Sequence, residues 1–445
     1  MKLDWRKTFL IGFGFFGISV IWQLYNAFVP IFLQAGRPGF ETSAGVNGFG
    51  LNAATTGLIM GLDNLAAIFI LPLIGVWSDR VRTPIGRRYP FIVTAAPIGA
   101  AAFLLLPFAV RLIDPAASGS VAANTGPFVL FIVAAGLMLL AMAILRTPVI
   151  SLMPDLTPSP LRSKANGVIN FMGGVGFIVA TFGLARLFNI AQILPFIGGS
   201  VMLLVAVFLL FATVREPKPD ELEAAAHELS EEEQALSGLK GWNVVPADQR
   251  GSLIFLLLAI FSWFVAYDGV GTFFTSYAVN VLGVSEGFAP TLFGIAGLTF
   301  ILFAIPAGFV GERLGRRRTI SLGLATFAVM LVVGYFLGST VGVGAVLAVG
   351  GIGWALVNIN SLPMVVDTTT DPRLLGTYTG LYYLASQTGS ALAPGIMGVF
   401  VDVVGSYRSI FLVAPVFFAL AVFFMSRVTR GEAHVVVPEA AAVEA

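Results

Sequence analysis

The sequence predicts an all-α membrane protein of twelve transmembrane helices in two pseudo-symmetric six-helix bundles, and three observations carry the prediction. Of its 445 residues, 57% are hydrophobic and 11% charged, whereas a soluble domain carries about 25% charged residues. The apolar residues fall in a dozen long runs, each near the roughly 20 residues a helix needs to cross a bilayer. Loop motifs also recur in the same order in the first and second parts of the chain.

The runs lie at roughly 8–34, 54–77, 90–111, 127–150, 165–187, 192–214, 251–281, 289–310, 319–338, 341–364, 376–401 and 408–426. The first follows Lys2, Arg6 and Lys7 and continues to Leu33 without a small-residue cleavage site, which marks a membrane helix rather than a leader. Between the sixth and seventh lies the one long polar stretch. Its Pro217 and Pro219 end a helix, and its DELEAAAHELSEEEQAL suits a solvated acidic helix. The expected division is a first bundle over 1–214, a central cytoplasmic loop over 215–250, a second bundle over 251–426 and a cytoplasmic tail over 427–445.

Orientation follows from the excess of Lys and Arg in cytoplasmic loops. With the N-terminus cytoplasmic, all but five of the 25 Lys and Arg fall on that side; Arg37, Arg111, Arg186 and Arg408 lie opposite, and Arg146 lies within a helix. An even helix number returns the C-terminus to the cytoplasm. A multi-pass protein of the inner membrane is therefore expected.

The internal repeat is specific. After the second run the chain reads Gly75-Val-Trp-Ser-Asp79-Arg80, then Gly86-Arg87-Arg88; after the eighth it reads Gly308-Phe-Val-Gly-Glu312-Arg313, then Gly315-Arg316-Arg317. After the fourth comes Ser151-Leu-Met-Pro-Asp155 with Arg162 following, and after the tenth Ser361-Leu-Pro-Met-Val-Val-Asp367 with Arg373 following. Equivalent loops after helices two and eight, and after four and ten, point to two related halves.

Polar residues inside lipid are expensive, so their positions trace an interior path. Helix one carries Trp22, Gln23, Tyr25 and Asn26, helix two Asp63 and Asn64, helix four Arg146, and helix five Asn166 and Asn170. In the second half, helix seven carries Tyr267 and Asp268, helix ten Trp354, Asn358 and Asn360, and helix eleven Tyr378, Tyr382, Tyr383 and Gln387. Helices three, six, nine and twelve carry almost nothing polar, as expected of lipid-facing helices around a central path. Helix eight is also apolar, which breaks the pattern.

Asp63 and Asp268 are one acid per half. Desolvation disfavours the charged form of a carboxylate, the property a proton-coupled carrier uses, and Arg146 is the cation that could join them in coupling. The bland alternatives are acids hydrogen-bonded between helices or paired with Arg146, and an Arg146 that snorkels to the nearby helix end. Aromatic rings beside amides suit a sugar, whose flat face stacks on Trp or Tyr while its hydroxyls need convergent donors and acceptors. Trp22 with Asn26, and Trp354 with Asn358, offer that pairing at i and i+4. Gln23, Tyr25, Asn64, Asn170, Tyr267, Asn360, Tyr382 and Gln387 complete the candidate substrate set. Aromatic residues also anchor helices at membrane interfaces, which accounts for any one of them alone.

Other chemistries find little support. Gly12-Phe-Gly14-Phe-Phe-Gly17 spells a dinucleotide-binding pattern but sits in an apolar helix with no preceding strand. No phosphate-binding loop occurs, and no nucleophile with a base suggests an enzyme. With zero Cys, and only His227 and His434, no metal site or cofactor is expected. The net charge of +1 gives no reason to invoke nucleic acid.

The loop from Gly75 through Asp79-Arg80 to Gly86-Arg87-Arg88 resembles the signature loop of the major facilitator superfamily, in the form found in glycoside-pentoside-hexuronide and sucrose symporters. The stretch RTPVISLMPDLTPSPLRSKANG, Arg146 to Gly167, is similar to bacterial relatives of the sucrose/proton symporters, as are WQLYN from Trp22 and GWALVNINSLPMVVD from Gly353. The resemblance implies the major facilitator fold and alternating access by rocking of the two halves. It implies gating loops built from Asp79, Arg80, Gly86, Arg87, Arg88, Asp155, Arg162, Glu312, Arg313, Arg316, Arg317, Asp367 and Arg373, with Asp79 pairing to loop arginines or to a helix N-terminus across the half. Melibiose-type members place paired acids before the proline of helix two. Here Ala67 to Leu71 precede Pro72, so protons are expected in place of sodium.

The expected function is proton-driven import of a neutral glycoside, such as a disaccharide, by a monomer in the lipid bilayer. Efflux of an amphipathic compound is the alternative within the superfamily, marked by resistance without sugar uptake. A non-transporting membrane sensor is the alternative outside it, and substrate flux would eliminate it.

Overall fold

The computed structural model describes residues 4–42, 45–157, 161–216, 245–369, 371 and 374–432, without the side chains of Asp63, Pro72, Arg162 and Ser163. The expected acidic helix of the central loop, Arg373 and most of the tail lie outside the described residues. Twelve helices among those described are long and apolar enough to cross a membrane.

The first half comprises α1 (Trp5–Gln34), α2 (Ala53–Arg80), α3 (Tyr89–Arg111), α4 (Thr125–Leu156), α5 (Arg162–Ile178) and α6 (Leu194–Thr213). The second comprises α7 (Ala247–Leu282), α8 (Ala289–Leu314), α9 (Arg316–Phe336), α10 (Thr340–Val366), α11 (Leu375–Val404) and α12 (Ile410–Arg427). Several helices outrun their apolar runs; α4 continues through Asp155 to Leu156 because its last turns leave the apolar layer while keeping helical backbone. Their ends follow local chemistry. Asp4 accepts from the Lys7 amide to start α1, and Asn52 accepts from the Thr55 amide to start α2. Gly283 and Gly405, in the left-handed conformation, stop α7 and α11. Past Ile178 the winding of α5 loosens to a π-helix over Val179–Gly183 and tightens to 3₁₀ over Leu184–Asn189.

The two halves repeat one packing scheme. α1 lies on α5 and α6 as α7 lies on α11 and α12, and α3 lies along α4 as α9 lies along α10. The principal contacts of α3, α6, α9 and α12 stay within their own half, which places them outermost, as their apolar sequences suggested. The apolar α8 has its own reason: Leu302, Ile305 and Phe309 are exposed on one of its faces, so it too borders lipid.

One pairing breaks the symmetry. α8 packs closely on α10, yet its counterpart α2 lies mainly on α11 of the other half rather than on α4. Glycine permits that approach: a Cβ on Gly57 would stand 2.0 Å from the Pro394 carbonyl oxygen, and one on Gly61 2.1 Å from that of Ala391. Between α2 and α4 this leaves an apolar fissure of about 280 Å³ whose wall includes Leu62, Ile70, Ala135 and Leu139.

Candidate functional site

A cavity of about 610 Å³ lies between the halves, within the size range of small-molecule sites. α1 contributes Trp22, Gln23 and Asn26 to its wall, α2 Asn64, α4 Arg146 and α5 Asn170. α7 contributes Tyr267 and Asp268, and α11 Gln387 and Ser390. Six helices thus bring an acid, an arginine, five amides, a tryptophan and a tyrosine onto one surface.

Asp268 is held from the opposite helix of its own half: the Ser390 hydroxyl donates to its Oδ2. That leaves the carboxyl on the wall with one oxygen engaged. Trp22 is half-buried and its ring meets Tyr25 edge-on, with centroids 5.8 Å apart. Its buried indole nitrogen has no hydrogen-bond partner among the described residues. Asn170 donates to the carbonyl and side-chain oxygens of Asn166, at 2.8 and 3.0 Å, which fixes its amide at the cavity edge.

Other candidates stand elsewhere. Trp354 is buried behind Tyr267, stacked on it with centroids 4.0 Å apart and planes 5° from parallel. The expected symmetry between Trp22 with Asn26 and Trp354 with Asn358 is therefore absent: Trp22 and Asn26 face the cavity, whereas Trp354 backs it. Asn360 is buried between α8 and α10, where its amide donates to the Ala307 and Leu356 carbonyls, and Tyr382 is buried against the Ser361 hydroxyl at 3.2 Å. The Asn360 amide nitrogen and the Tyr382 hydroxyl thus find their partners inside the protein, away from the cavity wall. Tyr25 is fully buried and borders the α2/α4 fissure. Trp22 and Arg146 stand on both the fissure and the cavity. Asp63 lies in α2, but its side chain is outside the described ones.

The arginine-rich loops gather at one end, the basic face. Arg87 and Arg88 reach Asp155 at 2.7 and 3.0 Å, and Arg88 also reaches Asp79 at 2.5 Å. In the second half Arg316 pairs with Asp367. Ser390 apart, sequence reasoning missed two residues that organise these loops. Glu216 accepts from the backbone amides of Arg87, Arg88 and Tyr89, and Glu432 from those of Arg316 and Arg317, capping α3 and α9 alike. Gly86 leaves room for this, since a Cβ there would stand 2.5 Å from the Glu216 carboxyl carbon. The two glutamates follow helices six and twelve, 216 positions apart, which was the available signal. Arg80, Glu312 and Arg313 are exposed at the ends of α2 and α8. Arg162 and Arg373 lack described side chains.

Asp79 therefore pairs with its own loop, and among the described residues the ion pairs of the basic face stay within one half or the other. The opposite end is joined across the halves. Gln34 of α1 accepts from Ser276 of α7 at 2.8 Å and from Tyr407 at 3.0 Å, and Arg37 pairs with Asp402 at 3.1 Å.

Comparison with known proteins gives the arrangement its relatives. The chain is 28% identical to the cis,cis-muconate transport protein of Acinetobacter baylyi over 258 residues, 56% of this chain and 60% of that protein. It is 30% identical to the general alpha-glucoside permease of Schizosaccharomyces pombe over 166 residues, 37% of this chain and 30% of that protein. The chain thus spans less than two thirds of the length of these curated relatives. Among solved structures, a variant of the nucleoside transporter NupG superposes with a TM-score of 0.71 at 14% identity, covering 95% of this chain and all of that one. A bacterial homologue of the human lysosomal transporter Spinster, solved inward-facing and unoccupied, superposes with a TM-score of 0.68 at 16% identity, covering 96% and 97%. The sequence profile of the Major Facilitator Superfamily matches residues 8–302 and 281–443. With twelve helices long and apolar enough to cross a membrane, in two repeated halves around a polar cavity, the chain belongs to the Major Facilitator Superfamily.

Proposed function

We propose that this protein imports a neutral glycoside together with protons, by alternating access. The observation that carries the reading is the meeting of Asp268 with the amides of Gln23, Asn26, Asn64, Asn170 and Gln387 on one cavity wall beside Trp22 and Tyr267. Amides donate and accept at once, as sugar hydroxyls require. The rings offer apolar faces for a pyranose. Asp268 is the group that binds and releases the coupled proton. The apolar run before Pro72 supports protons over sodium.

By the positive-inside rule the basic face is cytoplasmic, so contacts joining the opposite end correspond to a cytoplasm-facing state. In that state the loop ion pairs among the described residues stay within each half. Rocking to the other state brings the signature loops of the halves together and parts the outer contacts.

Arg146 on the same wall favours a second reading, a carboxylate substrate, and the muconate-transporting relative agrees with it. Purified protein in liposomes distinguishes the two. Labelled disaccharides and a labelled dicarboxylate are offered with an inward proton gradient, without one, and with a sodium gradient. Accumulation of a disaccharide only under the proton gradient is expected. Dicarboxylate flux with no sugar flux would transfer the assignment, and sugar flux indifferent to the proton gradient would remove the coupling.

A further inference from the structure

Two contacts at the non-basic end occupy equivalent places in the repeat. The Ala54 amide at the start of α2 donates to Asp402 Oδ2 at the end of α11, at 2.7 Å. The Gly287 amide, in the turn that starts α8, donates to Asn189 Oδ1 at the end of the α5 span, at 3.1 Å. The donors are 233 positions apart, the spacing between Asp79 and Glu312, and the acceptors 213 apart, one more than the spacing between Asp155 and Asp367. In each case a side chain ending the fifth helix of one half receives an amide at the start of the second helix of the other.

The two members differ in strength. Asp402 also accepts from the Ala53 amide at 3.0 Å and pairs with Arg37 at 3.1 Å, with both side chains more than three-quarters buried. A carboxylate on a helix N-terminus interacts with the exposed amides and with the helix dipole, and bonds to an ionised group are about twice as strong as neutral ones. Asn189 is exposed and neutral, and its amide nitrogen donates to Ser285 Oγ at 2.9 Å.

We infer that Asp402 and Asn189 are a repeat-encoded pair of latches that hold the non-basic end closed, with Asp402 the dominant member, so that the conformational preference of the transporter is set chiefly at one residue. Opening that end separates α2 from α11 and α8 from α5, and both capping bonds must break. The inference rests on the alternating-access reading.

The test measures shape without needing the substrate. Because the chain has zero Cys, Ala116→Cys and Val341→Cys place spin labels on exposed positions at the non-basic end of opposite halves, away from both latches. Distances are recorded by pulsed electron resonance in lipid nanodiscs. Asp402→Ala should raise the ratio of long to short distances roughly tenfold, the size of a lost charge-assisted bond. Arg37→Ala and Asn189→Ala should each shift it in the same direction by less. Asp402→Asn keeps a capping oxygen without the charge and should fall between. If Asp402→Ala does not fold, Arg37→Ala and Asp402→Asn decide the matter. Distributions unchanged in the variants that fold overturn the inference. A wild-type distribution that ignores every candidate substrate and gradient, in protein that transports, would overturn alternating access instead.

Discussion

Asp268 on α7 receives a hydrogen bond from Ser390 on α11, and the pair stands on the wall of a cavity that carries polar groups from both halves. On the proposed reading, protonating that carboxyl weakens the bond it accepts, because a neutral acceptor is poorer than an ionised one. Protonation is thereby linked to the contact between the two helices that line the second half of the path.

Asp268→Asn should abolish proton-driven accumulation of substrate while leaving substrate exchange across the membrane measurable. The amide keeps the shape but cannot carry the proton. Uptake would lose its dependence on external pH. Accumulation that survives in this variant would place coupling elsewhere. Ser390→Ala should move the pH midpoint of uptake without abolishing it.

Tyr267 is held by its stack on Trp354. Removing the partner with Trp354→Ala should raise the KM for transport about 2–10-fold, the equivalent of the ~0.5–1.5 kcal/mol typical of such a pair, with Trp354→Phe restoring most of it. A direct contact with substrate predicts instead that Phe, lacking the indole N–H, stays impaired.

Gly57→Leu should push α2 off α11, because even a Cβ would stand 2.0 Å from the Pro394 carbonyl. The outer end should then open, at a cost of about 1–3 kcal/mol to the closed arrangement. Labelling of a cysteine introduced at Asn26 by an impermeant reagent from the side of the non-basic end should speed up. The same substitution at Gly167, with nothing within 4 Å of its Cβ position, is the control.

Glu216→Gln should lower the melting temperature of the protein, since a carboxylate that receives three backbone amides leading into α3 becomes a neutral group. A loss of about 0.5–2 kcal/mol is the usual scale for a helix cap. Glu432→Gln should do less, because Glu432 serves only two amides of α9.

The helix count and the two halves were legible because apolar runs and basic loops are one-dimensional signals. The cavity was legible in part. Trp22, Gln23, Asn26, Asn64, Asn170, Asp268 and Gln387 line it because polar atoms within a membrane span turn inward. That rule does not say whether inward means toward the cavity or toward a neighbouring helix. Asn360 and Tyr382 took the second course, satisfied by the Ala307 and Leu356 carbonyls and by Ser361. Ser390, Glu216 and Asp402 were missed for another reason. Each gains meaning only from a partner more than a hundred residues away, which no local pattern encodes.

The change of winding in α5 has a consequence of its own. Each residue of an α-helix advances the chain by about 100° of rotation, so deleting one residue from Val179–Gly183 would swing Asn189 around the helix by more than a quarter turn while leaving its sequence neighbours intact. The bearing of that amide on Ser285 is thus governed by how loosely the backbone is coiled two turns earlier. Torsion absorbed or released in that short stretch reaches the far end of the span with no side chain needing to change rotamer.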